Sequence, residues 1–216
     1  MIDITEHLNA VDRAVGSRTI EAGEARAITV TRTFAAAVDD VWDACTNVER
    51  IPRWLMPISG DLGVGGTYQL EGNAGGTIER CDPPRSFAAT WEYGGEISWI
   101  EVRLAPDGDG TRLTLEHLAP VDDGRWAEFG PGAVGVGWDM MVAGLNLHLS
   151  SGQPVDPAES AAWAASDEGR AFMTWSSEAW CDASVAAGTD PAAARAAAER
   201  TTAAYTGTVP DGAGAA

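Results

Sequence analysis

An α+β fold, an antiparallel sheet wrapped around one long helix with more helices after it, is what this sequence of 216 residues predicts. Three observations lead there. Between residues 60 and 120, short alternating runs are separated by Gly, Pro and Asp at hairpin spacing, which leaves no room for parallel crossovers. The next apolar segment changes to a helical period, and two Asp-Pro helix starts follow it. With 45% hydrophobic residues, a chain of this length can bury one core of ordinary size plus an appendage.

Residues 3–15 place Ile4, Leu8, Val11 and Val15 at helical spacing and predict a short amphipathic helix bracketed by Gly16 and Gly23. From Ala27, "AITVTRTF" alternates Ile28, Val30, Arg32 and Phe34 against Thr29, Thr31 and Thr33, the pattern of a strand. Val38, Val41, Trp42 and Cys45 then share a helical face, and a second short helix reaches Trp54, limited by Pro52 and Pro57. Strands are expected over 66–71, 77–81, 87–93, 98–104 and 111–118. "PDGDGT" turns the last pair, with Gly108 and Gly110 able to take positive φ. Ile100, Val102 and Leu104 alternate with charged neighbours, as do Leu113 and Leu115, so one sheet face is apolar and the other solvated. Trp138, Met141, Val142, Leu145 and Leu149 form one stripe of a helix over 138–149 that covers the apolar face.

Composition narrows the function. Acidic residues number 32 against 14 basic ones, all 14 arginine, for a formal charge of −18. That charge repels phosphate backbones and anionic membrane surfaces, so neither nucleic acid nor membrane is an expected partner; solubility alone is the plainer account of it. Without lysine there is no Schiff-base or phosphate-loop lysine. "MIDITEHLNAVDRAV" lacks a basic region and an apolar run, and no later window approaches a membrane span, so a cytoplasmic location is expected. Cys45, Cys81 and Cys181 stand far apart with no metal-ligand spacing, which argues against disulfides and zinc. They read as small hydrophobes, and no cofactor is expected.

Taken in order, "ITVTRTFAAAVDDVWDACTNVERIPRWL", "GGTYQLEG", "GGTIERCDPPRSFAATWEY", "DGDGTRLTLEH" and "GWDMMVAGLNLHL" resemble the helix-grip fold of the START/Bet v-like superfamily, also called SRPBCC. Within it they are most similar to bacterial homologues of the heat-shock-protein-90 ATPase activator, the AHSA-type domain. The resemblance implies a curved sheet gripping a long C-terminal helix, with an elongated hydrophobic cavity between them that members use for lipids, polyketides, hormones or other apolar molecules. It implies no shared reaction; the activator name describes a co-chaperone role of the eukaryotic members. The chain departs from the pattern at both ends. The expected division is a helical extension over 1–24, the AHSA-type domain over 25–152, a helical C-terminal extension over 153–208 and a disordered tail over 209–216.

In that C-terminal extension Asp156 caps one helix with Pro157 in its first turn, Asp167 a second, and Asp190 with Pro191 a third that ends at Gly207. Phe172, Trp175 and Ala179 share a face of the second helix, with Met173 and Trp180 on an adjoining one. Trp163, Trp175 and Trp180 carry more apolar surface than such helices bury among themselves. They are expected to dock on the main domain, on a second copy in a homodimer, or on another protein.

Candidate ligand contacts are Trp54, Tyr68, Leu70, Ile78, Trp91, Tyr93, Val102, Leu113, Leu115, Trp138, Met141, Val142 and Leu145, with ordinary core packing as an equal account of the aromatic ones. Arg80 shares a strand face with Ile78, and its polar end is a further candidate. His117, in phase with Leu113 and Leu115, is the one candidate general base; a hydrogen-bonded core histidine is the plainer reading. His7 and His148 have no partner spacing for a metal or a catalytic role. Gly132, Gly135 and Gly137 do not make a phosphate loop, because no strand leads into them and no basic residue accompanies them. The leading expectation is binding of a hydrophobic small molecule without metal or cofactor. A cyclase or dehydratase using His117 with Tyr68 or Arg80, and a co-chaperone or interaction module, are the alternatives.

Overall fold

The computed structural model describes residues 9–208. Its strands are β1 (Val11–Ile20), β2 (Gly23–Phe34), β3 (Ile58–Gly60), β4 (Thr67–Leu70), β5 (Gly75–Asp82), β6 (Ser86–Tyr93), β7 (Glu96–Asp107) and β8 (Gly110–Pro120). The helices are α1 (Val38–Thr46), α2 (Asp123–Phe129), α3 (Gly132–Ser151), α4 (Pro157–Ala164), α5 (Asp167–Ala186) and α6 (Pro191–Thr206), with a 3-10 turn at Ile51–Arg53. All eight strands join one antiparallel sheet in the order β1-β2-β8-β7-β6-β5-β4-β3. Pairing β2 with β8 sets Ile28 opposite His117 and Val30 opposite Leu115, so the apolar stripes of first and last strands meet.

Hairpin chemistry explains the meander. Gly108 turns β7 into β8 with φ of +59°. Gly110 is needed for a different reason from the one expected: its φ is not positive, but a Cβ there would lie 2.2 Å from the carbonyl oxygen of Phe34.

Residues 11–24 do not form the helix expected over 3–15, nor the helical extension expected over 1–24. Val11 to Ile20 is β1, paired with β2 along its whole length from Val11–Arg32 to Ile20–Gly23. Val11, Arg13 and Val15 alternate as readily as they repeat every four residues, and ten cross-strand pairs outweigh a short isolated helix. Ile4, Leu8 and His7 lie outside the described residues, as does the tail expected to be disordered over 209–216.

Helix α3 starts at Gly132, earlier than its apolar stripe indicated, because Gly132, Gly135 and Gly137 are themselves helical. Its inner face sends Trp138, Val142 and Leu145 into one core with Val30, Val102 and Leu115 of the sheet. Its outer face is covered by α5 and α6. Gly135 makes room for Trp180, since a Cβ there would be 2.3 Å from the indole; Gly132 does the same for Thr201, at 3.0 Å. Asp139, fully buried between the layers, accepts hydrogen bonds from Arg13 Nε at 2.9 Å, from Trp180 Nε1 at 3.1 Å and from the Ser176 hydroxyl. Burial pushes its carboxyl up, and the Arg13 guanidinium with these donors opposes that push.

Asp156 and Asp190 cap α4 and α6 as expected, while Ser166 rather than Asp167 caps α5. The tryptophans divide: Trp180 is buried against the main domain, Trp163 packs on Phe172 with ring centroids 5.4 Å apart, and Trp175 stays 42% exposed.

Candidate functional site

Between the sheet and the inner face of α3 lies a cavity of about 150 Å³. Strands β4 to β8 supply Tyr68, Leu70, Ile78, Phe87, Ala89, Trp91, Ile100, Val102, Leu113 and Leu115; α3 supplies Trp138, Met141, Val142 and Leu145. One end is closed by Cys45 and Thr46 from the end of α1 and by Ile51, Trp54, Leu55, Ile58 and Leu62 from the segment that follows. Two of its aromatic rings turn their polar ends to backbone: Trp54 Nε1 donates to the carbonyl of Ala44 at 2.8 Å, and the Tyr68 hydroxyl to that of Thr90 at 2.8 Å. Burial pushes the Tyr68 phenol up and the Cys45 thiol up to about 12, so both stay neutral. The interior therefore presents mainly hydrocarbon, aromatic faces and the sulfurs of Cys45, Cys81 and Met141, and an apolar space of this size stays dry and takes a benzene-sized guest.

Twelve of the expected contacts line this cavity: Trp54, Tyr68, Leu70, Ile78, Trp91, Val102, Leu113, Leu115, Trp138, Met141, Val142 and Leu145. Three do not. A β-bulge between Ile78 and Arg80 slips the phase of β5, turning Arg80 outward to Glu101 at 3.4 Å and Cys81 to the cavity's edge. Tyr93, where β6 turns into β7, is 62% exposed. His117 has the expected phase but sits beyond the cavity, behind Trp91 and Trp138.

His117 is fully engaged. Trp138 Nε1 donates to its Nδ1 at 2.9 Å, and an indole N–H can only donate, so Nδ1 carries no proton. The proton of the neutral ring is then on Nε2, which donates to the Ser98 hydroxyl at 2.9 Å; the Ser98 hydroxyl in turn donates a hydrogen bond to the carbonyl of Trp91 at 3.0 Å. Burial drops the His117 pKa to about 4. Its basic lone pair is spent on Trp138, so the arrangement orders two tryptophans and offers no free general base. His148 is held likewise, between Arg50 Nε at 3.2 Å and the carbonyl of Gln153 at 3.0 Å.

Sequence reasoning missed Cys45, Thr46, Ile51, Leu55, Ile58, Leu62, Cys81, Phe87, Ala89 and Ile100 as lining residues. Phe87, Ala89 and Ile100 were legible from strand alternation; the residues between α1 and β4 carry no periodic signal. Among the described residues no helix is long and apolar enough to cross a membrane, and no cluster of His, Cys, Asp or Glu could hold a metal ion.

An eight-stranded antiparallel sheet closed over α3, with an apolar space between, defines a helix-grip protein. The family model described as activator of Hsp90 ATPase homolog 1-like protein matches residues 35–150, and the chain belongs to that family. It is similar to CalU16 from Micromonospora echinospora. The crystal structure of CalU16 is 39% identical, with a TM-score of 0.66 over 81% of this chain and 98% of that one. Its solution structure is 40% identical, with a TM-score of 0.70 over 83% and 97%. DynU16, a protein in the dynemicin biosynthetic locus, shares the fold at 21% identity, with a TM-score of 0.54 over 59% of this chain and 48% of that one. The Aha1 dimer from Colwellia psychrerythraea shares it at 16% identity, with a TM-score of 0.50 over 58% and 97%. No curated protein matches the chain.

Proposed function

We propose that this protein binds a hydrophobic small molecule, a lipid, a polyketide or a similar apolar compound, in the cavity between sheet and helix. The observation that carries the reading is the lining itself: the polar ends of Trp54, Tyr68 and Trp138 are bonded to backbone or to His117, leaving a predominantly apolar surface to meet a guest. Residues 25–152 hold all of that lining, with the C-terminal helices backing α3. The place of DynU16 in the dynemicin biosynthetic locus agrees with a natural-product guest.

Toluene tests the reading, because it matches a cavity of this size. Titrated into the methyl-labelled protein, it is expected to shift the Leu115, Val142 and Leu145 methyl resonances saturably. Val142→Trp, which fills the cavity, is expected to abolish the shifts while unfolding stays cooperative. Cavity methyls that do not respond to toluene overturn the proposal.

A further inference from the structure

The cavity is smaller than the roughly 300–1,000 Å³ that drug-sized ligands occupy, but it does not end at a solid wall. On the far side of Trp91 lies an open groove of about 580 Å³, formed by the β6–β7 turn, the end of β8, α2 and the start of α3. Trp91 lines both spaces, Trp138 only the cavity and His117 only the groove. Where the two spaces meet, three rings pack together: Trp91 and Trp138 have centroids 4.9 Å apart, and His117 lies 5.7 Å from Trp138 and 6.4 Å from Trp91.

The partition is unequally anchored. Trp138 is fixed by its hydrogen bond to His117, whereas the indole N–H of Trp91 makes no hydrogen bond among the described residues, and its ring is held by apolar packing against Trp138, His117 and the core. Around the groove, Tyr93, Ile97, Val121 and Val134 account for four of the seven large apolar side chains left exposed among the described residues, the others being Val48, Val64 and Trp175. Apolar surface gathered at one mouth marks a binding edge, where scattered residues would not. The same groove carries polar groups, with Ser98, Glu96 and Arg125 on its walls.

We infer that groove and cavity are two chambers of one binding site, joined when Trp91 turns aside, and that the site takes an elongated multi-ring aromatic molecule. Its apolar rings enter the cavity, one of them replacing the Trp91 ring against Trp138, and its polar substituents stay at Ser98, Glu96 and Arg125. This rests on the binding reading above and enlarges it. Together the two volumes fall within the range a ligand of that class needs.

N-phenyl-1-naphthylamine, a neutral multi-ring probe, tests the inference beside toluene. In the full chain it is expected to shift the cavity methyls of Leu115 and Val142 and the groove methyls of Ile97 and Val134 with a single dissociation constant. Shifts confined to one set, or two sets with separate constants, overturn it. Trp91→Ala removes the need to displace the ring and is expected to tighten the probe roughly tenfold, as pre-organising a minor open state does; unchanged or weaker binding counts against the inference. If toluene moves the cavity methyls and the larger probe does not bind, the single cavity stands and the two-chamber site falls. If neither probe moves the cavity methyls, the binding proposal itself has failed.

Discussion

His117 shows how far a single residue could be read in advance. Its alternation with Leu113 and Leu115 correctly put the imidazole on the enclosed side of the sheet. Which compartment it faces depends on Trp91 and Trp138, which come from another strand and from α3 and carry no signal in the neighbourhood of His117. The structure turns a candidate base into the keystone of a hydrogen-bonded chain from Trp138 through Ser98 to the carbonyl of Trp91. Its pKa, 6.5 in the unfolded chain, falls to about 4 in the fold. Above pH 6.5 both states are neutral and the contribution to stability is complete. As pH falls from 6.5 through 4 the unfolded chain takes up the proton first, and stability is lost. The shift corresponds to about 3 kcal/mol. Urea unfolding at pH 7 and at pH 4.5, on the wild type and on His117→Phe, is expected to show a steeper loss for the wild type. At pH 7 the variant should be about 1–3 kcal/mol weaker, because the Trp138 N–H is left buried without an acceptor.

Elements were most legible where turn chemistry punctuates them and least where tertiary packing decides. The strands from β4 to β8 were readable because glycine, proline and aspartate mark each reversal. β3 escaped, being three residues long, and the bulge in β5 reversed the facing of Arg80 without any sign in composition. The start of α3 was hidden by its own glycines. Gly135 is helical because Trp180 of α5 fills the space where its side chain would stand, a contact visible only once both helices are in place. Gly135→Leu is therefore expected to cost about 3 kcal/mol and to expose Trp180, read as a red shift in its emission. A Cβ on Gly16 meets nothing within 4 Å, so Gly16→Ala should change stability by less than about 0.5 kcal/mol.

At the scale of the molecule, α3 sits between two layers. That is why its sequence lacks a polar face: the sheet covers one side and α5 with α6 the other. Capping residues and aligned alanines made the last helices readable, but their partner was not, since Trp180 suits a domain surface or a second subunit equally well by sequence alone. Asp139 settles where they dock by joining Arg13 of β1, α3 and α5 at one buried carboxylate. A chain ending at Ser151 leaves Asp139 with Arg13 alone and opens the Gly132–Gly135 face to water. Its melting temperature is expected to fall by roughly 10 °C or more against the full chain, and calorimetry that finds the two equal would show that the extension is dispensable. The aromatic partition has an optical consequence as well. All nine tryptophans lie among the described residues, yet only Trp91 and Trp138 bring two indoles into ring contact, tilted by 54°. Two transition dipoles so close and so inclined couple as an exciton, so the protein's circular dichroism is expected to carry a signed couplet from this pair, and a guest that turns Trp91 aside is expected to weaken it.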